Sequence, residues 1–275
     1  CGNGECPHMA GLEYTLAGPT LRADDYTLVA LTGGAVEPKV NGKRVNMFEP
    51  LLLAPGDTLE IGMLVSGLRG YLAVFGGFDI HPVLGSRSTD LKCHIGGLNG
   101  RALKAGDVLP VLRAFELPQE RFRPLQKRVR AAALEDWALT TLTPHGFIGA
   151  QKFPLLRVVL GPQDEMFTEK GLFDFKSALY TVTQDSNRMA AKLNGAAIEA
   201  RAGVDILSDG IVEGSVQISA NGQPIVMLTD HQSTGGYAKI ATVIPCDIPT
   251  LAQVRPGQLV GFRVVTVEEG TAACK

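Results

Sequence analysis

LSDGIVEGSVQISANGQPIVMLTDHQSTGGYAKIATVI, Leu207 to Ile244, alternates short apolar runs with glycine-bearing turns, the pattern of a β-rich chain. Gly214 to Ile218 reads as a strand running into Asn221-Gly222, and Pro224 to Leu228 as its antiparallel return. Asn-Gly is a strong short hairpin signal because both residues tolerate positive φ. The returning strand then runs into Asp230-His231-Gln232-Ser233-Thr234-Gly235-Gly236-Tyr237. Two glycines there expose backbone N–H groups beside Asp, Gln and Thr side chains. Such a loop suits a carboxylate, carbamoyl or phosphate ligand. Equally, its glycines would turn a tight barrel corner.

The same grammar extends outward. Tyr26 to Thr32, Tyr71 to Val74, Leu155 to Leu160 and Pro224 to Thr229 are short apolar runs bounded by Gly, Pro or Asn, which predicts strands. Asn41-Gly42 repeats the hairpin signal. A turn plan recurs in Ala54-Pro55-Gly56-Asp57, Lys104-Ala105-Gly106-Asp107 and Arg255-Pro256-Gly257-Gln258, each before an aliphatic run. Leu16-Ala17-Gly18-Pro19 and Leu160-Gly161-Pro162 open the two halves alike, so a degenerate duplication is expected. Helices are few; Ser186 to Leu193 and Asp247 to Val254 are the best short candidates. The expected organisation is mainly β: a first barrel-like unit over 1–113, a charged linker with three prolines over 114–151, and a second unit over 152–275.

Composition excludes several classes. With 45% hydrophobic residues, 32 glycines and 16 prolines in 275 residues, the chain is globular and turn-rich. A net charge of -2 gives no footprint for nucleic acid or an anionic membrane, and the basic cluster Arg121, Arg123, Lys127, Arg128 and Arg130 is local. No run reaches the ~20 apolar residues of a membrane helix, and no signal peptide is expected. Five scattered cysteines predict reduced thiols in a cytoplasmic protein. Cys1, Cys6 and His8 lie close together, but a structural zinc site needs four ligands and Cys93 and His94 are far along the chain, so no metal is expected.

The usual catalytic motifs are missing: no P-loop, no dinucleotide fingerprint, no nucleophile elbow and no zinc-protease helix. The candidate chemistry therefore sits in loops. Arg188, in Ser186-Asn187-Arg188-Met189, offers a planar fork for an anion. Arg87 and Ser88, in Gly85-Ser86-Arg87-Ser88-Thr89-Asp90, offer a second anion site or a turn between strands. A groove is expected where the loop Asp230 to Tyr237 meets the strand Gly214 to Ile218 and the segment Gln184 to Met189. Arg188, Gln217, Asp230 and Gln232 are the expected catalytic groups. Arg87, Ser88, Thr234, Gly235, Gly236 and Tyr237 are the expected substrate-binding groups.

The segments GGFDIHPVLGSRSTDLKCHIGGLNGRALKAGD (Gly76 to Asp107), QDSNRMAAKLNG (Gln184 to Gly195), the stretch Leu207 to Ile244 and IPTLAQVRPGQLVGF (Ile248 to Phe262) resemble the allophanate hydrolase subunit 2, or biotin-dependent carboxyltransferase, family. That family includes a 5-oxoprolinase subunit and part of the carboxyltransferase region of urea carboxylase. The resemblance implies two cyclophilin-like β-barrel units in tandem. It implies a subunit that works with partner subunits B and A in ATP-dependent hydrolysis of 5-oxo-L-proline to L-glutamate, inactive alone, with ATP used by the assembled complex. Alternatives are the carboxyltransferase component of a urea carboxylase or allophanate hydrolase system, with biotin carried on another chain, and a regulatory antagonist of a kinase inhibitor. The family usually begins with a segment containing a Gln-Asp-x-Gly-Arg motif, and this sequence starts after it. Asn187, Ala190, Ser233 and Ala238 stand where the family usually has an acidic residue, Gly, Thr and Pro.

Overall fold

The computed structural model describes residues 9–112 and 153–275. The expected linker 114–151, its basic cluster, and Cys1, Cys6 and His8 lie outside the described residues. Two compact units hold 9–112 and 153–275 respectively. The architecture is mainly β, as expected, with only short helices among the described residues.

The first unit has eight strands: β1 (Leu12–Thr15), β2 (Ala17–Arg22), β3 (Thr27–Ala35), β4 (Lys39–Val40), β5 (Lys43–Arg44), β6 (Leu51–Leu53), β7 (Thr58–Met63) and β8 (Ser66–Val74). They form two four-stranded sheets, β1-β8-β3-β6 and β2-β7-β4-β5. The chain passes between sheets at Leu16, whose φ of 62° bends β1 away from β2. Leu16 N–H donates to Leu68 O at 2.9 Å and its carbonyl accepts from Leu64 N at 2.8 Å, so both sheet-switching corners are locked together. Alternation then buries Leu59 and Ile61 while Glu60 faces solvent, and these pack with Tyr14, Val29, Leu31 and Leu72 in one core.

Turn chemistry is as the sequence predicts. Asn41 and Gly42 take φ of 49° and 78° between β4 and β5, the signature of a type I′ hairpin. Gly56, Gly106 and Gly257 have φ of 91°, 89° and 88° at the third place of their turns. In each, the fourth residue closes the turn twice. Its N–H donates to the first carbonyl (3.0, 3.1 and 3.0 Å), and its side chain accepts from the first N–H (2.8, 2.7 and 2.8 Å). Asn221-Gly222 differs in detail: Gly222 takes φ of 77° while Ser219 N donates to Gln223 O at 3.0 Å, a longer loop with its glycine in the left-handed region.

The second unit has nine strands: β9 (Leu155–Leu160), β10 (Tyr180–Val182), β11 (Ala190–Asn194), β12 (Asp205–Gly210), β13 (Ser215–Ile218), β14 (Pro224–Met227), β15 (Thr234–Tyr237), β16 (Lys239–Val243) and β17 (Leu259–Val264). Seven close into a barrel in the order β10-β11-β14-β13-β16-β9-β17, with β9 and β17 parallel. Strands β12 and β15 make a separate ribbon. The helix Glu169–Ser177, capped by Thr168 Oγ1 accepting from Gly171 N at 3.0 Å, carries Phe175 onto the barrel. Phe175 stacks on Phe262 at 4.6 Å, a contact that contributes about 1 kcal/mol beyond its buried area.

Of the two expected helices, Asp247 to Val254 is present as the helix Ile248–Ala252 after a 3-10 turn, Pro245–Asp247. Ser186 to Leu193 is not a helix. Asn187 Oδ1 accepts from Met189 N at 2.8 Å and Ala190 N at 3.3 Å, a local turn that competes with helix hydrogen bonds and starts β11 instead. The helices Glu169–Ser177 and Val267–Ala273 are additional to those expected. No helix of the described residues is long and apolar enough to cross a membrane.

Candidate functional site

The hairpin β13–β14 is antiparallel, with Gln217 opposite Ile225, and β11 flanks it on the other side. Beyond β14, Leu228 N donates to Met189 O at 2.9 Å and Asp230 N to Arg188 O at 3.0 Å, so the segment before β11 lies against the loop after β14. This brings Arg188 to Asp230: Nε and Nη2 donate to the two carboxylate oxygens at 2.7 and 3.3 Å, with both side chains half exposed.

A second grouping forms around Gly235. Gln217 is fully buried, and its Nε2 donates to Tyr237 O at 3.1 Å. A Cβ at Gly235 would stand 2.9 Å from Gln217 Nε2, 3.2 Å from Gln232 Nε2 and 2.5 Å from Ile211 Cδ1. Two carboxamides and Ile211 thus close on one backbone position, and a side chain there would push them aside. Gly236 is not constrained in this way; a Cβ there meets nothing closer than 3.5 Å. Thr234 is exposed and Tyr237 half-buried at either end of β15. Of the expected groups, Gln217 and Gln232 close on Gly235, Tyr237 contributes its backbone carbonyl while its side chain packs against the barrel core, and Arg188 and Asp230 pair with each other.

Three neighbours were not anticipated: Lys239, Asp209 and Gln163. Lys239 is buried on β16, where it is the ladder partner of Gln217. Its Nζ donates to Asp209 Oδ2 at 2.6 Å and to Gly210 O at 3.1 Å. Asp209 in turn is the ribbon partner of Gly235. Its carboxyl is held below the ordinary value, first by the Lys239 hydrogen bond, then by the Gly210 N–H and the Lys239 charge, with a smaller contribution from Gln163. Gln163 Oε1 also accepts from Lys239 N at 3.1 Å. Gly161 makes that reach possible, since a Cβ there would lie 2.3 Å from Lys239 O. The arrangement sets one lysine–aspartate ion pair beside several carboxamides and a backbone position without a side chain.

Arg87 and Ser88 belong to the first unit. They help line a cavity of about 220 Å³ together with Met9, Ala10, Gly85 and Ser86. Arg87 Nη1 donates to Ile80 O, and Ser88 N donates to Ser86 Oγ at 3.1 Å. The loop behind them is held shut by close backbone approach: a Cβ at Gly96 would lie 2.2 Å from Ser88 O. Among the described residues no three His, Cys, Asp or Glu side chains gather as metal ligands.

Both units are mainly β, and in the second the carboxamides of Gln217 on β13 and Gln232 before β15 meet at Gly235 of the ribbon. Residues 2–264 match the family "Carboxyltransferase domain, subdomain A and B", and the chain belongs to that family. It is 33% identical over 270 residues to the C subunit of 5-oxoprolinase from Escherichia coli (strain K12), covering 98% of this chain and 80% of that one. Identity to the corresponding 5-oxoprolinase component of Haemophilus influenzae is 31%, covering 97% and 78%. The urea amidolyase of Saccharomyces cerevisiae is 28% identical, but the match takes in only 14% of its length. The crystal structure of the K. lactis urea amidolyase superposes with a TM-score of 0.79 at 28% identity, over 95% of this chain and 16% of that chain.

Proposed function

We propose that this chain is a C-type subunit of an ATP-dependent 5-oxoprolinase, acting with partner subunits B and A to hydrolyse 5-oxo-L-proline to L-glutamate. The observation that carries the reading is coverage. The match to the E. coli 5-oxoprolinase component spans 80% of that protein, whereas the match to yeast urea amidolyase spans 14% of it. The site agrees in kind. Carboxamides of Gln217 and Gln232 suit a lactam N–H and C=O, and a cation beside them suits the carboxylate on the same small molecule. An amide resists water at neutral pH; transfer of the γ-phosphoryl group of ATP to the lactam oxygen, with ADP leaving, makes that carbon electrophilic. Water adds there, the C–N bond breaks as the ring nitrogen takes a proton and leaves as the amine, and a second water hydrolyses the resulting acyl phosphate to the carboxylate and phosphate. The protein's part is positioning and charge stabilisation. ATP belongs to the assembled complex, and the reduced thiols and charge fit a cytoplasmic setting.

The test is reconstitution with the partner subunits. The assembled complex is expected to form glutamate and ADP together on addition of 5-oxoproline, and this chain alone to form neither. Turnover by the isolated chain would overturn the partnership, and an inert complete complex would overturn the substrate. A second reading, a carboxyltransferase component using biotin carried on another chain, draws on the TM-score of 0.79 with urea amidolyase. Bicarbonate-dependent carboxylation of urea in the presence of a biotinylated partner would favour it.

A further inference from the structure

Lys239 is only 5% exposed, yet its carboxylate partner Asp209 keeps 54% of its side chain in solvent. Burying an ammonium carries a desolvation penalty that one half-exposed carboxylate offsets only in part, so stability alone is a weak reason for placing a lysine there. An ammonium has three donors. Among the described residues, Lys239 Nζ has two acceptors, Asp209 Oδ2 and Gly210 O. The cation therefore holds unspent donor capacity, and its main partner sits on the outer ribbon, not in the barrel.

Its neighbours on the two ladders are polar groups and a glycine. Gln217 and Lys239 are Cα partners on the β13–β16 ladder, immediately after a register shift that follows Val216. Asp209 is opposed to Gly235 on the ribbon. At Gly235 in turn, the space a Cβ would take is bordered by Gln217 Nε2 and Gln232 Nε2. Following those adjacencies, Lys239 to Asp209, Asp209 to Gly235, Gly235 to Gln217 and Gln217 back to Lys239, closes a ring of polar groups around a position without a side chain. Ion pair and carboxamides thus belong to one site.

We infer that Lys239 is the carboxylate-recognition residue of this site, and that Asp209 holds the place of the substrate carboxylate until substrate arrives. The identity of the anion rests on the 5-oxoprolinase reading: 5-oxoproline carries one carboxylate beside its lactam. Lys239 takes the carboxylate, Asp209 swings outward into the solvent it already half occupies, and the glutamine amides meet the lactam. A phosphoryl group on an activated lactam shares this anion chemistry, and the uncharged analogue 5-oxoprolinamide separates the two. It keeps the lactam that would be phosphorylated and lacks the carboxylate.

The experiment uses the complete complex with K239Q or D209N in this chain, assayed on 5-oxoproline and on 5-oxoprolinamide, and titrated calorimetrically with both. K239Q is expected to lower the acid-over-amide ratio of kcat/KM by about tenfold or more, chiefly through KM, as loss of a charge-assisted hydrogen bond would. D209N is expected to lower KM for the acid, since it removes the competing carboxylate. Equal loss toward both substrates in K239Q, or a KM raised by D209N, overturns the inference and leaves Lys239 as a strap for the ribbon or a phosphoryl contact. If K239Q fails to fold by circular dichroism, D209N decides alone. If the wild-type complex turns over neither compound, the 5-oxoprolinase reading falls separately. Binding of 5-oxoproline that tightens in D209N would then still sustain the carboxylate site, and binding insensitive to both variants would sink it.

Discussion

Asp57 accepts hydrogen bonds from Ala54 N and from Asn41, and these, in that order, hold its carboxyl below the ordinary value of 3.8. A folded-state pKa depressed in this way contributes stability that is present above 3.8 and lost as pH falls through the folded value. Asp57→Ala should therefore melt below wild type at pH 7, and the gap should close on acidification below the carboxylate range. A gap that is flat with pH would remove the charge from the explanation. Arg188 poses a different question at the same scale. Its pair with Asp230 is half exposed, and such pairs contribute ~0–1 kcal/mol. Arg188→Lys should hardly move the melting temperature. If the guanidinium fork also clamps substrate, the same change slows the assembled complex about tenfold to a hundredfold, because a point charge does not replace two parallel donors. Unchanged kinetics would reduce Arg188 to a surface ion pair.

Between elements, a buried polar tie in the second unit joins β9 to the turn Pro245–Asp247. Asp247 is 2% exposed and accepts from Arg157 N at 2.8 Å, from Nε at 2.9 Å and from Nη2. Asp247→Ala leaves a largely buried guanidinium and a strand N–H without their acceptor, so urea denaturation should show a loss of about 3 kcal/mol. A loss under about 1 kcal/mol would mean water replaces the carboxylate easily. Strands, hairpins and the three glycine turns were legible because each is written in a few adjacent residues: alternation in Leu59-Glu60-Ile61, or Gly at the third place of a turn. The segment Ser186 to Leu193 misled because Asn187 spends its side chain on a local turn, a choice the apolar spacing does not record. Half the candidate site was readable as a polar, glycine-rich loop after an apolar strand. The other half was not, since Lys239 lies between Ala238 and Ile240 in an apolar run and meets Asp209 thirty positions away. Nothing adjacent to a lysine announces that it will be buried.

At the scale of the whole molecule, the second unit carries its own means of closure. Its seven-stranded ladder returns on itself through the parallel pairing of β9 with β17, so no barrel edge is left open. Its core is continuous from Leu156 on β9 through Val216 and Ile240 to Phe262 on β17, and the helix Glu169–Ser177 adds Phe175 to it. The helix Val267–Ala273 is fixed by a reciprocal capping box between Thr266 and Glu269, and a Cβ at Gly270 would meet Ile244 Cγ2 at 3.0 Å, so that helix is seated on the barrel. Every one of these contacts lies within 153–275. A fragment of those residues should therefore fold alone, with a cooperative urea transition and dispersed amide resonances. Ile240→Ala should destabilise it by about 2–5 kcal/mol, the range for truncating a buried aliphatic side chain. The same substitution in the full chain should give the same loss if the barrel is the unit in which Ile240 acts. A fragment that stays unfolded, or a loss that differs by more than about 0.5 kcal/mol between fragment and full chain, would show that the barrel needs residues from outside it.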